Sequence, residues 1–82
     1  MGFQEHDVVR IVRLMQPERH FSGTAGEMRA PRVGDVATIV HLPVGADGCI
    51  VECVDPGGRT VWLAEFLLKE LELVQAVEVG DG

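Results

Sequence analysis

The sequence predicts an all-β protein, a small barrel of five strands with a long loop after the first strand. Short runs of β-branched residues recur along the chain, turns rich in Gly and Pro separate them, and no long amphipathic helix interrupts them. The core is expected to be aliphatic, because the 82 residues include three phenylalanines, one tryptophan and no tyrosine. A chain of this length buries only about 60–65% of its unfolded surface, so a second copy would add stabilising burial.

The first strand is predicted over residues 7–14. Its apolar residues also fit one face of a helix, so the periodicity alone is ambiguous. Four β-branched residues within five positions favour a strand, because their stiff χ1 angles suit a pleated surface. Val9 and Ile11 are expected to face the core, and Arg10 to face outward.

Residues 16–32 are predicted to form one long loop, because they show no sustained period and contain two prolines and two glycines. A structureless loop of this length is uncommon in a compact domain and is usually either functional or flexible. Residues 22–28 are therefore expected to be the most mobile internal segment.

The remaining strands are separated by recognisable turns. Pro31 favours extended geometry in the residue before it, and Gly34 tolerates a positive φ. The two residues therefore predict a turn that leads into the second strand. The predicted elements are a strand at 36–42, a hairpin turn at 43–48, a strand at 49–54, a turn at 55–59, a strand at 60–66, and a helical turn with a short closing strand at 67–74. Residues 1–6 are predicted as an N-terminal extension, 7–74 as the barrel and 75–82 as a flexible acidic tail.

Two segments carry a resemblance to known proteins: V-G-D-x-A-T-I-V at 33–40 and V-E-C-V-D-P-G-G-R-T at 51–60. Their order resembles SH3-like small barrels, and G-D-x-A-T-I-V resembles the start of a KOW-type strand. The chain is also similar, over 7–14 and 33–74, to a bacterial family of small uncharacterised proteins, some carried on mobile gene cassettes. Ala37 and Cys53 depart from that family's usual glycine and phenylalanine. The resemblance implies an SH3-like fold and no assigned activity.

The charge distribution bears on partners. The net charge is −6, with five basic and four acidic residues in 1–34, and two basic and nine acidic residues in 35–82. An acidic balance repels phosphate backbones and anionic membranes. No apolar run approaches 18 residues, and residues 1–15 lack the pattern of a signal peptide, so we expect a cytoplasmic protein without a membrane partner.

Neither the cysteines nor the histidines form a recognisable chemical motif. Cys49 and Cys53 would lie about 13 Å apart on one face of a strand, too far for a mutual disulfide, and are predicted to be buried, reduced thiols. His6, His20 and His41 lack metal-binding spacing. The SGTAGE segment lacks the lysine and helix of a phosphate-binding loop. We therefore expect no cofactor and no enzymatic activity.

The preferred function is a non-enzymatic protein-interaction module that forms a homodimer, with an unidentified protein partner also possible. The candidate interaction residues are two apolar residues on the outer face of the first strand, their neighbouring arginines, and a Trp/Arg pair of the kind found at interfaces. They are Val8, Arg10, Val12, Arg13, Arg59 and Trp62. Trp62 is expected either to anchor a partner or to cap the core. The candidate loop site comprises His20, Arg29 and Arg32.

The alternative function is a nucleic-acid-binding KOW-like barrel that uses the N-terminal arginines, namely Arg10, Arg13, Arg29 and Arg32. The acidic net charge disfavours this partner class, because it repels a phosphate backbone. A small hydrolase or metalloenzyme is the third hypothesis, based on a Ser-His-acid grouping around His20, although residues so close in sequence rarely meet in triad geometry.

Overall fold

The computed structural model describes residues 2–16, 18–24 and 28–77. Its strands form a single antiparallel sheet. Its elements are β1 (Val8–Ile11), β2 (Phe21–Ser22), β3 (Val36–His41), β4 (Gly48–Val54), β5 (Thr60–Leu67), a 3-10 helix (Leu68–Glu70) and β6 (Leu71–Gln75). The all-β prediction is confirmed. The described residues contain no α-helix, and no helix among them is long and apolar enough to cross a membrane.

The strand order across the sheet is β2-β5-β4-β3-β1-β6. β1 therefore lies between β3 and β6 and brings the beginning and the end of the fold together. In the described part of the chain, β2 and β6 are the two edges and do not pair with each other. The sheet thus has six strands rather than the predicted five, and its hydrogen bonding does not close it into a barrel.

The strands form where inward and outward residues alternate. In β4, Cys49, Val51 and Cys53 are buried while the residues between them are half-buried, as the period of two predicts. Both cysteines are free thiols, which confirms the prediction. Val9 and Ile11 in β1 are fully buried and Arg10 is exposed, so the face of the first strand was also predicted correctly.

Trp62 and Phe66 form the aromatic centre of the core. Both are almost completely inaccessible, and their ring centroids lie 5.3 Å apart with the planes tilted by 43°. The interpretation of Trp62 as an outward anchor for a partner is therefore wrong, and its other interpretation as a core residue is correct. Trp62 follows the buried Val61 directly, so a strict period of two does not settle which of the two faces the core.

The predicted long loop is partly a strand. Phe21 and Ser22 pair with Ala64 and Leu63 of β5, which makes β2 an edge of the sheet. The chain then continues along β5, where the Thr24 N–H donates to the Thr60 carbonyl at 2.9 Å. Residues 25–27, in the middle of the segment expected to be most mobile, lie outside the described residues.

Asp7 ties both ends of the described chain to the sheet. Its carboxylate is 2% exposed and accepts hydrogen bonds of 2.8 Å from the backbone N–H groups of Gln4 and Val77. Phe3 packs against the core, so the segment before β1 contacts the fold. Gln75 belongs to β6, so the predicted tail over 75–82 begins as ordered chain, and its residues 78–82 lie outside the described part.

The turn that precedes β3 has the predicted geometry. Gly34 has a φ of +98°, a region that disfavours side chains with a Cβ. Its N–H donates to the Ile11 carbonyl at 2.8 Å, while the Ile11 N–H donates to the Asp35 carbonyl at 2.9 Å. This turn therefore aligns the start of β3 with the end of β1.

Candidate functional site

A buried ion pair supports the surface between the 3-10 helix and β2. The Glu70 side chain is fully buried, and its two carboxylate oxygens lie 2.5 and 2.6 Å from Nη2 of Arg19. It also accepts hydrogen bonds from the backbone N–H groups of Met15 at 2.6 Å and Leu67 at 2.8 Å. The Arg19 guanidinium lies 3.9 Å from the centroid of the Phe66 ring, so the ion pair is fixed against the core.

The hydrogen bonds to Glu70 keep its carboxylate ionised. Burial is the largest single influence and raises the pKa of Glu70, but the bonds from Arg19, Met15 and Leu67 together outweigh it. The pKa therefore lies below its ordinary value. A buried carboxylate with this number of donors holds its position, which fixes Arg19 as part of the surface beside it.

Two adjoining cavities of about 320 and 570 Å³ lie on this surface and share the side chains of Gln16 and Glu65. We call them together the acidic groove. The first cavity is completed by His41, Pro43, Ala46, Asp47, Gly48, Cys49, Ile50, Phe66 and Leu67, and the second by Glu18, Arg19 and His20. Both volumes fall within the range of ordinary ligand sites.

The groove carries unbalanced negative charge. Glu18, Asp47 and Glu65 are exposed, and none has an ion-pair partner among the described residues. Among the described residues, Arg19 is the one lysine or arginine in its lining, and its charge is balanced by Glu70. The acidic groove is therefore suited to a cationic group rather than to an anion.

The outer edge of β6 is a second feature available to a partner. The Val12 N–H donates to the Glu70 carbonyl at 2.9 Å, so the backbone of Glu70 faces β1. Backbone groups alternate in direction along an antiparallel ladder, so those of Glu72 also face β1 while those of Leu71 and Leu73 point away from it. Of these two outward N–H groups, that of Leu71 already donates to the Leu68 carbonyl. The side chains of Leu73 and Val74 are 46% and 43% exposed.

Searches of protein-family models, curated proteins and solved structures find no match for this chain.

The predicted loop site is not a single cluster. Arg29 lies against Asp35, with its Nη1 and Nη2 atoms 2.8 and 3.0 Å from the two carboxylate oxygens. The backbone N–H of Arg32 also donates to Asp35, at 3.0 Å, while its side chain is exposed. His20 instead lines the second cavity of the acidic groove. Arg29 and Arg32 therefore share a partner that His20 does not contact.

The predicted interaction residues of the first strand have internal roles. Val8 and Val12 are half-buried, which makes the apolar patch that the sequence predicted less open than expected. The exposed Arg10 pairs with Glu72 at 3.2 Å, and Arg13 Nη1 donates to the Lys69 carbonyl. These contacts connect β1 and the residues after it to the last part of the chain.

Arg59 is exposed in the turn between β4 and β5. Its backbone N–H donates to Oδ1 of Asp55 at 2.9 Å, as does that of Gly57. Because Trp62 is buried, the predicted Trp/Arg pair does not lie on the surface. Of the two residues, only Arg59 is exposed to a partner.

Apart from His20, the residues of the acidic groove were not predicted as a site. Arg19 and Glu70 are 51 residues apart, and neither belongs to a recognisable motif. One signal was present, since an alternating strand at 60–66 places Glu65 on the outer face beside apolar neighbours. Within the described residues, no group of three or more His, Cys, Asp or Glu side chains is arranged to hold a metal ion.

Proposed function

We propose that this protein is a non-enzymatic protein-interaction module that self-associates by pairing the β6 edges of two copies. The observation that carries the proposal is the outward backbone of Leu73 on an edge strand whose Leu73 and Val74 side chains are exposed. An exposed strand edge is a template for pairing with another strand. β6 contains neither proline nor lysine, two residues that proteins commonly use to prevent such pairing.

The edge suits a second copy of the same chain because antiparallel pairing about a two-fold axis is self-complementary. If the axis passes at Leu73, the outward N–H and C=O groups of Leu73 in each copy bond to each other. Glu72 of one copy then lies opposite Val74 of the other, so like charges do not oppose each other. Arg10 remains beside Glu72 and reduces the local negative charge.

This proposal keeps the predicted self-association but moves the contact. Both edges of β1 already pair, with β3 and β6, so β1 offers a second copy only its outer face. Val8 on that strand and Val12 immediately after it are half-buried, which reduces the apolar area available there. The β6 edge offers both backbone hydrogen bonds and exposed apolar side chains.

We also propose that the sheet is a variant of the SH3-like barrel that the sequence resembles. The position of β1 supports this proposal, because the first strand lies between β3 and the last strand and so joins the consecutive strands β3, β4 and β5 to β6. β2 is then an addition to the edge of β5.

The nucleic-acid alternative draws little support from the arginines. Of the four arginines in that alternative, Arg10 and Arg29 each pair with a carboxylate, Arg13 donates to a backbone carbonyl, and the Arg32 side chain is exposed. Binding to a phosphate backbone needs free cationic side chains arranged along one surface. Because Arg10, Arg13 and Arg29 are engaged within the chain, these arginines give nucleic-acid binding little support.

Leu73→Pro tests the proposal, because it removes an N–H that points away from the sheet and so breaks no hydrogen bond within one chain. Leu73→Ala is the matched control, since it truncates the same side chain but keeps the N–H. In sedimentation velocity at high micromolar concentration, we expect dimers for the wild type and for Leu73→Ala, and monomers for Leu73→Pro. Circular dichroism should show an unchanged β-sheet signal for all three.

Two results would overturn the proposal. One is a wild-type protein that sediments as a monomer at high micromolar concentration. The other is a Leu73→Pro variant that remains dimeric, because the contact would then lie elsewhere on the molecule.

A further inference from the structure

We propose that the acidic groove binds an extended segment of a partner protein in which a lysine or arginine is flanked by apolar residues. This inference rests on the proposed role as an interaction module, but it uses a surface that does not include β6. A module of this kind would then have one site for a second copy and another for a different protein.

Charge complementarity is the first argument for a cationic side chain. Glu65 lines both cavities, with Asp47 in the lining of the first and Glu18 in the lining of the second. A lysine or arginine placed at Glu65 would therefore meet carboxylates on either side along the groove. The same arrangement disfavours nucleic acids and acidic peptides.

The apolar part of the lining explains why flanking apolar residues are expected. Ile50 is half-buried and pairs with Glu65 across β4 and β5, so an apolar side chain adjoins the central carboxylate. Pro43, Ala46 and Leu67 complete the walls of the first cavity. A small cation alone would use the carboxylates but would leave this apolar surface uncovered.

The Arg19 side chain supplies an independent sign of a missing acceptor. It is only 6% exposed and lines the second cavity, yet its Nε–H has no hydrogen-bond partner among the described residues. A buried donor without an acceptor is costly. The Nε atom itself is inaccessible, so a backbone carbonyl of an occupant along residues 18–20 would provide that acceptor only once the Arg19 side chain shifts.

The position of the groove on the sheet favours an extended occupant. Glu65 lies on β5, and His20 immediately precedes β2, the strand that pairs with β5. His41 on β3 pairs with Ile50, which pairs with Glu65, so the groove crosses three consecutive strands before it reaches β2. A single compact ligand would occupy only one of the two cavities.

The test uses the acetylated and amidated pentapeptide Ala-Leu-Lys-Leu-Ala, with Ala-Leu-Glu-Leu-Ala and butylamine as comparison probes. Titration of the ¹⁵N-labelled full chain followed by NMR measures both affinity and location. We expect saturable binding of the lysine peptide, with shifts at Gln16, Gly48, Ile50 and Glu65. We expect no saturable binding of the glutamate peptide and weaker binding of butylamine.

Glu65→Gln is the test variant and Glu72→Gln is its control, because both remove one exposed carboxylate but Glu72 lies outside the groove. Glu65→Gln should weaken binding of the lysine peptide about two- to fivefold, the range of an exposed ion pair, and Asp47→Asn together with Glu65→Gln should weaken it further. Glu72→Gln should leave the affinity unchanged.

Several results would overturn the inference. They are shifts that map outside the groove, equal affinities for Glu65→Gln and Glu72→Gln, a glutamate peptide that binds as well as the lysine peptide, or butylamine that binds as tightly as the peptide. Groove signals that shift with protein concentration alone would show that a second copy occupies it. The monomeric Leu73→Pro variant should still bind the lysine peptide, so the two proposals can fail separately.

Discussion

Trp62 Nε1 donates a hydrogen bond of 2.9 Å to Oδ2 of Asp35, which places a carboxylate directly against the largest side chain of the core. Arg29 holds the same carboxylate through two hydrogen bonds, and the Arg32 N–H provides another. A residue at the start of β3 thereby connects the segment after β2 to the centre of the sheet. The network satisfies the polar atom that a buried tryptophan brings into the core.

Asp35→Asn should destabilise the protein by about 1–3 kcal/mol, because Arg29 loses its charged partner and the carboxamide cannot accept from all the present donors. Urea unfolding followed by Trp62 fluorescence measures the effect. Glu72→Gln is the control, since its ion pair with Arg10 is exposed and should contribute less than about 1 kcal/mol. Equal unfolding midpoints for the two variants would contradict the central role given to Asp35.

Stability should fall as the pH falls below about 5. Burial is the largest single influence on Asp35 and Glu70 and raises the pKa of both carboxyl groups. Hydrogen bonds from Arg29 and Trp62 nevertheless lower the pKa of Asp35 overall. Hydrogen bonds, mainly from Arg19, do the same for the pKa of Glu70. A carboxylate with a lower pKa in the folded state stabilises the fold above its unfolded pKa. That contribution is lost as both groups become protonated.

Urea midpoints measured between pH 7 and pH 3 would test this dependence. Glu70→Gln should lower the midpoint at pH 7 and flatten the decline towards pH 3, because it removes one of the two titrating groups. A wild-type midpoint that does not change over this range would show that neither carboxylate stabilises the fold.

Gly23→Ala should destabilise the protein by about 1–3 kcal/mol, because an added Cβ would lie 2.8 Å from the Val61 carbonyl oxygen and 3.0 Å from that of Thr60. Both neighbours are backbone atoms of β5 and cannot move freely. Gly2→Ala is the control, since nothing lies within 4 Å of its added Cβ. Thermal unfolding would measure both, and equal melting temperatures would show that the chain after β2 does not pack closely on β5.

The all-β class and most strand positions could be predicted because they depend on local patterns. In β4, Cys49, Val51 and Cys53 face the core because side chains alternate along any extended chain. Gly34 marks the turn before β3 because only glycine adopts positive φ without a steric penalty. The free thiols follow from the spacing of the two cysteines along the same strand.

Trp62 shows where local patterns became insufficient. Val61 and Trp62 are adjacent and both buried, so alternation allowed either to face the core. The tertiary structure decided in favour of Trp62, because Phe66 lies beside its ring and Asp35 accepts its N–H.

Contacts between distant residues also determined the features proposed for function. The sequence by itself established an acidic, aliphatic, all-β chain with strands in nearly their observed positions. Only the tertiary structure paired Arg19 with Glu70 across 51 residues, made β2 an edge of the sheet beside β5 and placed β6 at the other edge in the described part of the chain. A strand of two residues is too short to show a period in the sequence. Strand pairing depends on the partner strand rather than on the pattern within either strand. A sheet edge or a groove therefore exists only once segments distant in sequence have packed together.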